Sequence, residues 1–193
     1  LGFMTELSVA ETEDKLYRIL DGEGWIDERS LLEAEVLPAE GSPRSIYYAL
    51  NDVVIARGAI ARVIYVTARI DGEPLTTYKA DGIILATATG STGYALAAGG
   101  PILPPHSKDF LLLPIIPLLS AKYCVVLPSG SKVQLSIQAI HPVTLSIDGH
   151  TNLPLNSGAV ISVRRSRHKI RFLRIHPESS FYSTLEKRLK GKQ

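Results

Sequence analysis

Three carboxylates in this 193-residue chain stand at the ends of apolar runs. Asn51-Asp52 opens Val53-Val54-Ile55, Asp81-Gly82 opens Ile83-Ile84-Leu85, and Asp148-Gly149-His150 closes the run 143–147. A carboxylate there can accept hydrogen bonds from ribose hydroxyls or an amide, and the Asn51 amide can pair with a purine edge. Each is equally ordinary turn chemistry, because Asp and Asn bond their own backbone and tolerate tight turns. Between the second and third lies Thr87-Ala88-Thr89-Gly90-Ser91-Thr92-Gly93, followed by a small-residue helical segment, 94–98, and the stop Gly99-Gly100-Pro101. A strand–loop–helix junction of this kind presents backbone N–H groups and hydroxyls to an anion or a polar ligand. The competing reading is a turn in which Gly supplies backbone freedom and Thr89 or Ser91 caps the helix.

Other chemistries are excluded by pattern. The five histidines are scattered, without HExxH or other ligand spacing, so no metal site is expected. There is no GxSxG elbow, no GxxxxGK[ST] loop and no GxGxxG fingerprint. The basic cluster Arg164-Arg165-Ser166-Arg167-His168-Lys169 lacks interleaved aromatics and reads as a solvated turn between strands. A formal net charge of +2 gives no electrostatic reason to expect nucleic acid or an acidic membrane as partner. The single Cys124 cannot form an internal disulfide, no leader opens the chain, and the most apolar stretch, 110–119, is broken by Pro114 and Pro117 and too short to span a bilayer. A soluble cytoplasmic protein is expected.

The elements that must position these groups are mostly strands. Strand-like runs fall at 25–37, 49–56, 60–70, 122–127, 132–137, 143–147, 159–163 and 169–175, with Val133, Leu135 and Ile137 alternating against Lys132, Gln134 and Ser136. Asp71-Gly72 is a hairpin signal. Helices are expected at 11–20, with Leu16, Ile19 and Leu20 on one face, and at 179–189, with Phe181, Leu185 and Leu189 spaced by four. With 45% hydrophobic and 21% charged residues a sizeable core can form, and the expected fold is mainly β with a few short helices.

The blocks ALNDVVIARGAIARV (49–63), DGIILATATGSTGYALAAGGPIL (81–103) and SIDGH (146–150) resemble the signature blocks of NAD kinases, in the same order and over essentially the whole chain. The resemblance implies a layered, β-sandwich-like C-terminal domain that binds NAD and forms homo-oligomers, dimers or tetramers. The family moves the γ-phosphate of ATP with Mg2+, or of polyphosphate, onto the 2′-hydroxyl of the adenosine ribose of NAD. It implies that Asn51 contacts the adenine, Asp52 a ribose hydroxyl, and Asp81 the nicotinamide end or its ribose. Thr92, Gly93 and Tyr94 would line the dinucleotide, and Asp148 and His150 would close the site, with Thr89, Ser91 and Ala97 as further candidates. The family's Gly-Gly-Asp-Gly motif, whose Asp is the expected base, does not occur in the chain. Residues 1–193 are therefore expected to be the C-terminal domain alone, without a catalytic residue and inactive by itself. The segment 179–193 would pack on the N-terminal α/β domain.

The chain departs from the family pattern at Ala88 (usually Pro), Gly93 (usually Ala), Ala97 (a Ser that touches adenine) and Leu118 (commonly His after Pro117). Two other classes remain: a stand-alone nucleotide-binding or scaffolding domain, and a lipid kinase of the diacylglycerol type. The intact TGSTGYALAAGGP block speaks against the second.

Overall fold

In the computed structural model the described residues are 6–37, 43–58, 62–177, 181–183, 185 and 186. They form helix α1 (Val9–Leu20), then β1 (Trp25–Leu37), β2 (Ser45–Ala49), β3 (Asp52–Arg57), β4 (Ile64–Ile70), β5 (Glu73–Ala80) and β6 (Gly82–Ala86). A 3-10 turn (Gly90–Thr92) and the one-turn helix α2 (Tyr94–Ala97) follow. The chain continues through β7 (Phe110–Ile115), β8 (Val125–Leu127), β9 (Lys132–Gln138), β10 (Val143–Ile147), β11 (Thr151–Leu155) and β12 (Val160–Arg174). Two antiparallel six-stranded sheets result, ordered β2-β1-β12-β9-β4-β5 and β11-β10-β3-β6-β7-β8. The expected mainly β class is what the chain adopts.

Contacts divide the chain into two compact units, Ser30–Ile170 and a smaller one made of Leu1–Arg29 with Arg171–Gln193. In the larger unit the inward faces of both sheets meet in one core, with Leu32, Ala34, Val66, Leu135 and Ile161 from one and Val53, Ile55, Ile83, Leu85, Leu112 and Leu145 from the other. The alternate residues of the second sheet, Val54, Ile84, Ala86, Leu111 and Leu113, pack with Ala95 of α2 in a separate cluster. Strands β6 and β7 are thus covered on both faces, which is why GIILA and FLLLPI read as unbroken apolar runs. The stretch 110–119, set aside as too short to span a bilayer, holds this central strand. Pro114 is tolerated because β8 pairs only with Phe110–Leu112, leaving an open edge beside it.

Three expectations shift. The runs 159–163 and 169–175 are one 15-residue strand, and the basic cluster lies within it rather than in a turn. Ser166 is buried there, and Arg164 donates to Glu33 at 2.7 Å, so the cations sit on the exposed positions of a paired strand. Strands β2, β5, β7 and β11 fall outside the expected runs; β5 returns from the Asp71-Gly72 hairpin and β11 from the Asp148-Gly149-His150 turn, each along the partner that the turn selects. Strand β4 begins at Ile64, while residues 59–61 of the expected 60–70 run lie outside the described residues.

In the smaller unit α1 starts at Val9, because the Ser8 N–H and hydroxyl both donate to Glu11 (3.0 and 2.7 Å) and hold the N-terminus. Leu16 and Leu20, on the expected apolar face, are exposed, and no residue of α1 is buried. Residues 181–183, 185 and 186 are helical, with Phe181 and Leu185 half-buried; Leu189 lies outside the described residues. A buried charge cluster ties the ends of β1 and β12 together here. Asp27 binds Arg29 at 2.6 Å and Arg174 at 3.0 Å, and Arg174 also reaches Glu6 at 3.2 Å. The Glu6 carboxylate further accepts the N–H groups of Ile175 and His176, each at 2.7 Å. Burial works against the charged form of both acids, yet the hydrogen bonds and the arginines outweigh it, so both titrate below their ordinary range. Folded-state values below the unfolded ones stabilise the chain above the ordinary carboxylate range, and that stability is lost as pH falls through the depressed values. Glu6→Gln is expected to cost about 1–2 kcal/mol at neutral pH, a difference that shrinks on acidification. Faster amide exchange at Ile175 and His176 would register it, and unchanged exchange would remove Glu6 from the account.

Candidate functional site

At one end of the second sheet, β3 begins at Asp52 directly beside Ala86, the last residue of β6. Three loops therefore meet: Leu50-Asn51 ahead of β3, the Thr87–Gly93 loop after β6, and the turn after β10. Asp148 adopts a left-handed backbone (φ 51°), which aims its carboxylate at the first loop. Its Oδ2 accepts the N–H of Leu50 (2.8 Å), and Oδ1 accepts those of Asn51 (2.7 Å) and Asp52 (3.0 Å). The Asp148 N–H returns a bond to the Asp52 carbonyl at 3.0 Å.

Thr87 locks the second loop onto the first. Its hydroxyl donates to the Leu50 carbonyl (2.5 Å) and accepts the Gly90 N–H (3.1 Å), while its own N–H donates to the Asn51 carbonyl (2.9 Å). The backbones approach so closely that a Cβ on Gly90 would lie 2.0 Å from the Asn51 carbonyl oxygen. Thr89 and Ser91, expected as caps, do not cap by side chain. The Ser91 hydroxyl donates to Ala88 O (2.7 Å) and accepts the Leu103 N–H (3.0 Å), stapling the loop to the chain that leaves α2. Thr92 donates to Thr89 O at 3.2 Å. Thr87 was inconspicuous in the sequence because its role depends on a loop 37 positions away.

Asp52 is the outlier at this rim. The residue is 8% exposed, and among the described residues nothing donates a hydrogen bond to its carboxyl or pairs with it. Burial, and secondarily the nearby Asp148 charge, raise it from the ordinary 3.8 to about 6. By strand alternation it shares the sheet face of Val54, Ala86 and Ala95, the face on which the Thr87–Gly93 loop lies. The Asn51 amide is half-buried and makes no side-chain hydrogen bond among the described residues; Gly93, Tyr94, Ala97 and His150 are exposed. Nδ1 of His150 lies 3.3 Å from the Asp148 carbonyl oxygen.

Asp81 stands apart. It precedes β6, at the opposite end from Thr87, and binds Arg57 Nε at 2.9 Å. Five strand residues separate it from the rim, about 17 Å at the usual rise. The structure brings Asn51, Asp52, Asp148, His150 and the Thr87–Gly93 loop together and leaves Asp81 out.

Residues 50–175 match the family model of the ATP-NAD kinase C-terminal domain. An NAD kinase of Dehalococcoides mccartyi is 51% identical over 191 residues, covering 99% of this chain and 67% of the relative. The yeast NADH kinase solved with NADH superposes with a TM-score of 0.91 at 29% identity, covering the whole of this chain and 57% of that one. An Archaeoglobus fulgidus NAD kinase solved with ATP shares the fold, with a TM-score of 0.81 at 23% identity, covering 98% of this chain and 70% of that one. The chain thus spans between 57% and 70% of the length of these three proteins. It belongs to the NAD kinase family, of which it carries the C-terminal domain.

Proposed function

We propose that the Asp52 rim holds the adenosine half of NAD for phosphorylation of its ribose 2′-hydroxyl, in the cytoplasm, with ATP or polyphosphate as donor. The observation that carries this reading is a buried carboxylate next to an amide, neither with a side-chain partner among the described residues, on a loop clamped by Asp148 and Thr87. A carboxylate only accepts hydrogen bonds, so the unfilled valence of Asp52 suits ribose hydroxyl donors. The Asn51 amide suits the adenine edge, and the exposed Gly93 backbone and Tyr94 ring suit the rest of the dinucleotide. Asp148 shapes this set by accepting the N–H groups of Leu50, Asn51 and Asp52. His150 stands at the outer lip.

In the transfer, the 2′-oxygen bonds to the terminal phosphorus as the phosphoanhydride bond breaks, and the hydroxyl proton passes to a base. In our reading the base and the phosphate-donor cradle belong to an N-terminal domain, so this domain alone supplies the NAD-holding wall and no transfer. A Mg2+ arriving with ATP would be held by the phosphates and would neutralise their charge; the described residues contain no group of three His, Cys, Asp or Glu side chains able to hold a metal ion. Asp81 lies at the far end of β6 from Asp52 and Asn51, beside Arg57. A second copy in a dimer or tetramer would bring its own Asp81 to this rim.

The test is Asp52→Asn, read in two ways. Between the ordinary aspartate value and about 6 the folded chain binds more protons than the unfolded one, so an ionised Asp52 lowers stability above that window. The variant should therefore gain about 1–3 kcal/mol at pH 7, with the gain fading as pH falls toward about 4. NAD affinity by calorimetry should fall about tenfold or more, since the amide presents a donor to ribose hydroxyls and lacks the charge. A variant that is more stable yet binds NAD as tightly as the parent would refute the assignment.

A further inference from the structure

The elements that build the Asp52 rim bring it almost no positive charge. From Gly82 to Pro105, a stretch holding β6, the Thr87–Gly93 loop and α2, the sequence has no Lys, Arg, His, Asp or Glu. Leu50 and Asn51, on the facing loop, carry no charge either. The titratable groups on the elements around Asp52 are therefore Asp148 and His150, on the turn after β10, and the exposed Tyr94 of α2. Asp148 directs its carboxylate at the N–H groups of Leu50, Asn51 and Asp52, and its charge opposes ionisation of the Asp52 carboxyl. Among the described residues no Lys or Arg pairs with either of these two carboxylates. Elsewhere the chain supplies such a cation: Asp27, Glu33, Glu35 and Asp81 each have an arginine at 2.6–2.9 Å.

This pattern suits a neutral ribose and works against an anion at the same place. A hydroxyl can donate to the Asp52 carboxylate, which only accepts. Once converted to a phosphate monoester, the same position has lost its donor and carries about 1.5 to 2 negative charges near neutral pH. Like charges a few ångströms apart repel more strongly beside a protein wall than in bulk water. Resting on the reading of the rim as the adenosine site, we propose that Asp52 also discriminates substrate from product. Its carboxylate favours the dinucleotide with a free ribose 2′-hydroxyl and repels the 2′-phosphorylated one, so the rim sheds what the reaction makes. Asp148 reinforces the effect by placing a second negative charge near the first. Protons switch the discrimination off. Asp52 titrates at about 6, and a phosphate monoester takes up its second proton near the same pH, so both charges decline together on acidification. The preference is full above that range and fades below it.

The experiment titrates the 193-residue chain calorimetrically with NAD, with NADP and with 2′-deoxy-NAD, the reference that lacks the hydroxyl without adding charge. At about pH 8, NADP should bind at least about tenfold more weakly than 2′-deoxy-NAD. The gap should shrink to within about threefold at about pH 5, and likewise in Asp52→Asn at about pH 8. A purely structural Asp52 would leave the ratio of the two ligands unmoved by the substitution. NADP bound by the parent as tightly as 2′-deoxy-NAD, or a gap that persists in Asp52→Asn, would overturn the discrimination and leave the rim an adenosine site. NAD bound equally by parent and Asp52→Asn, or not bound up to about 20 mM, would overturn the reading of the rim itself and the discrimination with it.

Discussion

Replacing Asp148 by alanine is expected to lower the stability of the chain by about 3–5 kcal/mol. One side chain accepts the N–H groups of Leu50, Asn51 and Asp52, and all three lose their acceptor together. A buried donor left without a partner costs about 1–3 kcal/mol, reduced here where water can enter beside the half-buried turn. A smaller opposing effect follows, because the Asp148 charge is part of what raises Asp52; its removal eases Asp52 ionisation. Asp148→Asn retains one acceptor oxygen and should fall between the parent and the alanine variant. Urea denaturation at pH 7 measures the order parent, Asn, Ala. In the same series NAD affinity should follow stability of the 50–52 loop, measured by amide exchange at Asn51. Equal stability of parent and Asp148→Ala would mean that the three bonds are replaceable by water and that the clamp is not what shapes the rim.

Gly90→Ala should be the more severe of the two. The added methyl carbon would sit 2.0 Å from the Asn51 carbonyl oxygen and 2.5 Å from its carbonyl carbon, both backbone atoms with no side-chain freedom to yield. Relief requires the two loops to separate, which breaks the Thr87 bonds to Leu50 and Asn51. A loss above about 4 kcal/mol is expected, visible as insoluble protein or a transition shifted well below that of the parent. Gly93→Ala is the matched control. Its φ of −103° suits any residue, and the nearest atom to the new carbon would be the Gly90 carbonyl oxygen at an ordinary 3.4 Å. Two glycines three positions apart in one loop should thus behave oppositely, and similar melting temperatures for both variants would contradict the close approach at Gly90.

The sharper contrast between the chain as text and as a fold concerns the three carboxylates. Their shared setting beside apolar runs suggested a common rim, and the resemblance placed all three on one dinucleotide. Register sets their spacing within one copy: Asp52 opposes Ala86 while Asp81 lies beyond Gly82, so the strand between them carries Asp81 to the far end, against Arg57. Nothing local in residues 81–86 encodes which end of β3 they will meet. Asp148 likewise reads as turn chemistry and is one, at φ 51°, but its carboxylate also serves a loop nearly a hundred residues earlier.

What the sequence by itself determined is what depends on near neighbours. Alternation in β9, the Asp71-Gly72 hairpin, the mainly β class and the family signature at 81–103 all rest on periods of two, on glycine at positive φ or on contiguous blocks of residues. The tertiary structure alone decided what depends on distant partners. It made 160–174 one strand, because β9 pairs Val160–Arg164 and Arg164 finds Glu33 across the sheet. It buried Asp52 with no donor among the described residues, joined Thr87 to Leu50, and set Lys79, Tyr65 and Gln138 side by side. Hydrogen bonds and desolvation act over a few ångströms of space, whatever the separation along the chain, and only the folded register brings those ångströms about.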